Sequence, residues 1–330
     1  MPVLTSLEPI RVVEGGRLWL RGEGFPPPES FTDIVTIGGV AARVSFASQD
    51  RLAVVVPSGL DAGEAPVKVA WAPGATLYVR VGGVLATGLH QVDNPVFGPD
   101  GSLYVTYSGS RGQEATVSVF RVSPNGAREA FVHGLVNPTS MVMGPDRRLY
   151  VSSRFEGRVY RVFDDGRYEV MASDLGVACG LAFGIDGALY VGDRSGTIFR
   201  IEPSGRSEPF ALVPASVAAF HLAMGPDGYL YVSAPTLASR DPIRRIDASG
   251  RVEALDASFG RPQGLAFDAS GVLHAVEALA GESGVYALRP GEPRELVVSG
   301  NALVGLAFGP ASELVVASNE SVYAFGALPA

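Results

Sequence analysis

A handful of polar side chains stand inside runs of small apolar residues, where chemistry is the first thing to test. Asp93-Asn94 opens the run NPVFGPDG, His221 sits in AAFHLAMG, Gln263 in RPQGLAF and Glu277 in LHAVEALA. An imidazole such as His221, or a carboxylate such as Glu277 or Asp93, can take or give a proton at a reacting centre. Asp93 is also a candidate ligand for a metal, because hard cations such as Ca²⁺ or Mg²⁺ prefer oxygen donors and usually require a carboxylate. Asn94, Arg154, Asp193, Arg194 and Gln263 complete a candidate ligand-binding set. Each has a plainer reading. His221 could fill space as a hydrogen-bonded core residue, and Asp193, Arg194 and Arg154 could pair with one another across neighbouring repeats. His274 falls where sister repeats carry Tyr, which points to packing. Cys179 has no cation beside it in sequence to activate its thiol. His90 and His133 lie in loops next to the candidate set. No nucleophile elbow, zincin helix, phosphate-binding loop or dinucleotide fingerprint is present.

These residues recur at equivalent places because the chain repeats. Bends read GPDG at 98–101, GPDR at 144–147, GIDG at 184–187, GPDG at 225–228, DASG at 268–271 and GPAS at 309–312. Their third positions are 46, 40, 41, 43 and 41 residues apart. Each bend is followed by a short apolar run, LYV in four cases, then by two more runs separated by turn residues. Four strands per unit of about 42 residues is the signature of β-propeller blades, and six units are expected. The last unit lacks a fourth strand before the closing GALPA. Gly83-Val-Leu-Ala-Thr-Gly88 resembles the fourth strands of other units and should close the ring from the N-terminal side. Closure removes an open sheet edge. Aligning the units places Asp93-Asn94, Thr139-Ser140, Cys179-Gly180, Phe220-His221, Gln263-Gly264 and Val304-Gly305 at the entry of the innermost strands, around the channel mouth. Asp193-Arg194, Arg154 and Glu277 fall at the ends of second strands, on the same face.

Composition excludes several functions. The 330 residues carry a net charge of −8, with one lysine, Lys68, and no basic run. Nucleic acid is therefore not an expected partner, since phosphate neutralisation needs clustered Lys and Arg. Cys179 is the single cysteine, so no internal disulfide or multi-cysteine metal site can form. No apolar run approaches a membrane span, and the N-terminus lacks a signal-peptide pattern, so a cytoplasmic protein is expected.

Residues 1–81 do not follow the repeat. Seven short strands are predicted there, at 4–7, 17–21, 33–37, 42–46, 52–56, 67–71 and 76–81, with turns including FPPPES at 25–30. The segments Leu4-Thr-Ser-Leu-Glu-Pro9, Leu18-Trp-Leu-Arg-Gly22, Val35-Thr-Ile-Gly-Gly-Val40 and Val54-Val-Val-Pro57 resemble an IPT/TIG domain. The resemblance implies an immunoglobulin-like sandwich, with a role as a spacer or interaction module, docked rigidly on the repeats because almost no linker follows. The units themselves, from residue 82 to 330, resemble NHL and SMP-30/gluconolactonase-like propellers. Asp93-Asn-Pro-Val-Phe-Gly-Pro-Asp-Gly101 is similar to the opening blade of gluconolactonases, where a glutamate, an asparagine and an aspartate hold a divalent metal. The resemblance maps that set onto Asp93, Cys179 and Gln263, which keeps one carboxylate of two.

The expected architecture is all-β, an immunoglobulin-like sandwich followed by a six-bladed propeller. The expected function is a non-catalytic binding or assembly module that holds a protein or small-molecule partner on the propeller face. The alternative is a metal-dependent lactonase-like hydrolase or lyase with an altered centre.

Overall fold

The computed structural model describes residues 2–25, 34–72, 74, 76–218 and 220–327. Most of the FPPPES turn, Asp33 at the start of a predicted strand, and the last residues of GALPA lie outside them. All strands and helices assigned among the described residues are strands, 33 in number. No helix there is long and apolar enough to cross a membrane.

Six four-stranded antiparallel units follow one another from residue 96, the fifth forming part of a nine-stranded sheet, and the first five run in chain order from the inside outward. Units 1 to 5 begin with the strands Val96–Phe97, Pro138–Met143, Ala178–Phe183, His221–Met224 and Pro262–Phe267. Unit 6 begins with Leu303–Phe308. The first strand of every unit packs against those of its two neighbours, and the series returns from unit 6 to unit 1, closing a ring. Second strands such as Leu149–Ser153 and Leu189–Asp193 are wholly buried. Both faces of such a strand meet a neighbouring sheet, which is why LYV appears there rather than an alternating pattern. The sixth sheet takes its outer strand, Gly83–Ala86, from the N-terminal side, with Gly83 opposite Ala324 and Val84 opposite Tyr323. This is the expected closure.

The bends explain the spacing signal. Their fourth position has a positive φ in all six units: 79° at Gly101, 62° at Arg147, 78° at Gly187, 81° at Gly228, 82° at Gly271 and 60° at Ser312. Glycine enters that region without the steric cost a Cβ brings. Just past the bend, Tyr104, Tyr150, Tyr190 and Tyr231 pack on Phe131, Phe183, Phe210 and Phe267. His274 takes the tyrosine's place in unit 5, against Phe308 with ring centroids 4.9 Å apart. The arginines opposite these tyrosines pair with glutamates one strand farther out, as Arg245 does with Glu253 at 3.0 Å. Those charges belong to the solvated rim of the units, far from the ring axis.

The N-terminal residues make two sheets over one apolar core that includes Leu18, Leu20, Val54, Val67 and Val79. One sheet orders Val3–Glu8, Arg17–Glu23, Arg51–Val55 and Arg43–Ala47. The other contains Leu77–Val81, Gly63–Val69, Val35–Ile37 and Val40–Ala41. A two-residue strand, Arg11–Val12, was not expected from sequence. It pairs in parallel with Leu77–Val81 on one side and with Glu295–Ser299 of unit 5 on the other. The N-terminal sheet is therefore continuous with a ring sheet. The junction is further held by the Tyr323 hydroxyl, which donates to Glu14 at 2.8 Å.

Candidate functional site

The residues at the entry of the inner strands meet on the ring axis. His221, from unit 4, is fully buried and faces unit 1, three units away. Its Nδ1 lies 2.5 Å from Asp93 Oδ1, and its Nε2 lies 3.1 Å from Gln263 Oε1. Three side chains from three units thus close the channel. Asp93 also accepts the Asn94 backbone N–H at 2.7 Å. Gln91 fixes the approach: its Nε2 donates to the Asp93 carbonyl at 2.7 Å, while its Oε1 accepts the Thr106 N–H at 2.8 Å. Glycines make this crossing possible. A Cβ on Gly305 would sit 2.6 Å from the Asp93 carbonyl oxygen, and one on Gly264 would strike Asn94 Oδ1 at 2.2 Å.

Other expected site residues have structural tasks. Asn94 ties units 5 and 6 to unit 1, donating to the Leu265 carbonyl at 2.8 Å and accepting the Leu306 N–H at 3.0 Å. Glu277 does not converge with Asp93 and His221. Its buried carboxylate accepts the N–H groups of Gly260, Arg261 and Leu279 at 2.6, 2.7 and 2.8 Å. Such a carboxylate organises a loop, and Arg294 stands 4.0 Å from it. Asp193 does the same one unit pair earlier, accepting the Val177 N–H at 2.7 Å and the Ser195 hydroxyl. It makes no ion pair with Arg154 or Arg194, so the expected cross-blade pairing does not form. His274 Nδ1 donates to the Val272 carbonyl, 3.1 Å away, and burial pushes its pKa down. His133 is exposed and contacts the Thr116 carbonyl at 2.7 Å. His90 is half-buried, and burial together with Arg154 lowers its pKa.

Above the plug opens a cavity of about 550 Å³, on the face that carries the loops between second and third strands. Gln263 and Cys179 lie at its floor, and Arg111, Arg154, Arg194 and Arg261 line it with Phe155, Val177 and Val217. No Asp, Glu or His lines it among the described residues. Arg154 and Arg194 were expected at this face. Arg111 and Arg261 were not, because Arg111 lies in an unusually long loop of unit 1 that alignment by strand ends does not reach. A second cavity of about 400 Å³ lies on the other side of the plug, with Asp93 in its wall among mostly apolar side chains.

The metal centre suggested by the opening-blade resemblance has a poor donor set here. Asp93 is its one carboxylate, and that carboxylate is engaged by His221 and by the Asn94 N–H. Gln263 turns its amide oxygen to His221. The Cys179 thiol is pushed up to about 12, chiefly by burial, so it stays protonated at neutral pH. Among the described residues no three His, Cys, Asp or Glu side chains gather closely enough to hold an ion.

With this geometry in view, comparison with known proteins is informative about fold. No family model matches the chain, and no curated protein matches it. Solved structures do. A protein described as a candidate gluconolactonase is 20% identical with a TM-score of 0.60, covering 73% of this chain and 90% of its own. An auxiliary nutrient binding protein from Bacteroides thetaiotaomicron is 14% identical with a TM-score of 0.58, covering 98% and 97%. Virginiamycin B lyase from Staphylococcus aureus is 15% identical with a TM-score of 0.51, covering 98% and 94%. The fold is a β-propeller. At these identities the likeness extends to the fold and leaves function to be argued from the site.

Proposed function

We propose that this chain is a non-catalytic binding propeller, six-bladed and of the NHL/SMP-30-like kind, that holds a small-molecule ligand in the cavity above the plug. The N-terminal sandwich is read as an immunoglobulin-like IPT/TIG domain that braces the fifth and sixth blades. One observation carries the functional reading. The cavity has the volume of a small-molecule site, yet no carboxylate or imidazole lines it among the described residues. A hydrolase or lyase needs a positioned acid or base within reach of the reacting atoms. His221 and Asp93 are spent on each other beneath the floor, and Glu277 on three backbone amides. The shared fold with a protein described as nutrient-binding is in keeping with a binding role.

A metal-dependent lactonase-like centre is tested in the same experiment. The chelated protein is melted alone and with Ca²⁺, Mg²⁺, Mn²⁺ or Zn²⁺ added back, and each sample is then assayed on a panel of lactones. A metal at 100 times its dissociation constant stabilises a native state by about 2.7 kcal/mol. The expected outcome is no saturable shift and no turnover. A shift that disappears in Asp93→Asn, with lactone opening that depends on the same metal, would replace the binding reading by the enzymatic one.

A further inference from the structure

Arg111, Arg154 and Arg194 occupy the loops between second and third strands of three consecutive units. Ring geometry sets them side by side in an arc around the cavity, with Arg261 joining from the loop that enters unit 5. None of the four forms an ion pair among the described residues. This is unlike the arginines on the outer strands, which face glutamates. Arg154 is the most confined of them. Burial is the main cause of its lowered pKa; Cys179 acts the other way, and the positive charges of Arg194 and Arg111 lower it further. The arc therefore gathers like charges around one cavity, Arg154 half-buried and Arg111, Arg194 and Arg261 exposed, inside a chain whose net charge is −8. Such an arrangement opposes itself until an anion enters.

The arc is also built rather than loose. Asn137 is fully buried and holds a left-handed φ of 47°. Its Nδ2 donates to the carbonyls of Ser108 and Ser110 at 2.8 Å each, and its Oδ1 accepts the Gly112 N–H at 2.7 Å. Those bonds clamp the loop that carries Arg111. Arg194 donates to the Val217 carbonyl at 3.3 Å. Beside the guanidinium groups, Phe155 is 54% exposed, which is large for an aromatic ring at a cavity wall, and it stands ready to cover an apolar surface.

We propose that the cavity takes a small organic polyanion, with two or more carboxylate or phosphate groups on an apolar skeleton. Arg111, Arg154 and Arg194 hold its charged groups, and Phe155, Val177 and Val217 cover the skeleton. This rests on the reading of the cavity as a ligand site. A monoanion leaves adjacent guanidinium groups uncompensated, so at least two negative charges are selected. Guanidinium forks suit both oxyanions through paired N–H donors.

Titration calorimetry with four probes on one skeleton tests this: phthalate, phenyl phosphate, benzoate and benzamide. The two dianions should bind at least about tenfold more tightly than benzoate, and benzamide should bind least, since each charge-assisted bond adds to affinity. Whichever dianion is tighter identifies the preferred oxyanion. Arg154→Gln and Arg194→Gln should each weaken the dianions by about tenfold or more and leave the thermal melt in place. Ala218→Trp, which fills the cavity, should abolish binding of every probe. Benzamide binding as tightly as the dianions, and lost in Ala218→Trp, would overturn the polyanion while keeping the ligand site. Dianion binding that survives Ala218→Trp would overturn the site itself, and no saturable binding of either dianion would overturn the proposal.

Discussion

His221 spans the ring axis and so joins units that are far apart in sequence. Removing it leaves the Asp93 carboxylate buried and short of its best donor. Leaving a buried polar group without its hydrogen-bond partner costs on the order of 1–3 kcal/mol, so His221→Ala should lower the melting temperature of the protein by several degrees in a thermal scan. Cofactor-free ligand binding in the cavity should persist in whatever folded fraction remains, because the imidazole lies under the floor. Two other residues give cleaner tests. Cys179, with its pKa pushed up to about 12 by burial, should resist thiol reagents at pH 8 in the native protein and react fully once unfolded. His274 is held neutral by burial, with its pKa below the ordinary 6.5. Its contribution is fully present above pH 6.5 and is lost as the pH falls toward its folded value. His274→Tyr, which restores the tyrosine of four sister units, should flatten the fall in melting temperature between pH 7 and pH 5. At this scale the sequence was partly legible. His221 stood out because it interrupts a column of small residues. Glu277 and Asp193 looked free only because backbone amides, which leave no mark in sequence, had claimed them.

The elements were legible through their turns. A bend with a required left-handed position selects Gly, and four of the six bends carry it. The two that do not are natural experiments. Arg147 and Ser312 hold φ of 62° and 60°, so Arg147→Gly and Ser312→Gly should each be neutral or stabilising by up to about 1 kcal/mol in urea titration, against the usual loss when Gly enters a strand or helix. Gly305→Ala should act in the opposite direction. Its Cβ would press on the Asp93 carbonyl and Asn94 Cα, at 2.6 and 2.8 Å, and overpacking of this kind costs about 1–3 kcal/mol. What could not be read was the strand Arg11–Val12. Two residues show no period, and their partners, Leu77–Val81 and Glu295–Ser299, lie far away along the chain.

At the scale of the whole molecule, closure of the ring does two things at once. It pairs Gly83–Ala86 with the last hairpin, and it brings the loops of consecutive units to one face, where three arginines become neighbours. The repeat period announced the ring, but the cationic arc depends on loop lengths that vary between units, and so Arg111 and Arg261 escaped notice. The outcome is an acidic protein with a basic hollow, plugged below by His221, Asp93 and Gln263. On the proposed reading this hollow binds rather than reacts, and what it binds is anionic. The most direct measurement is an anomalous difference map from crystals soaked in tungstate or selenate. The expected result is a peak among Arg111, Arg154 and Arg194, above the plug. A map with anomalous density only elsewhere on the surface, or with an ion bound at Asp93 and Gln263 after a metal soak, would contradict it.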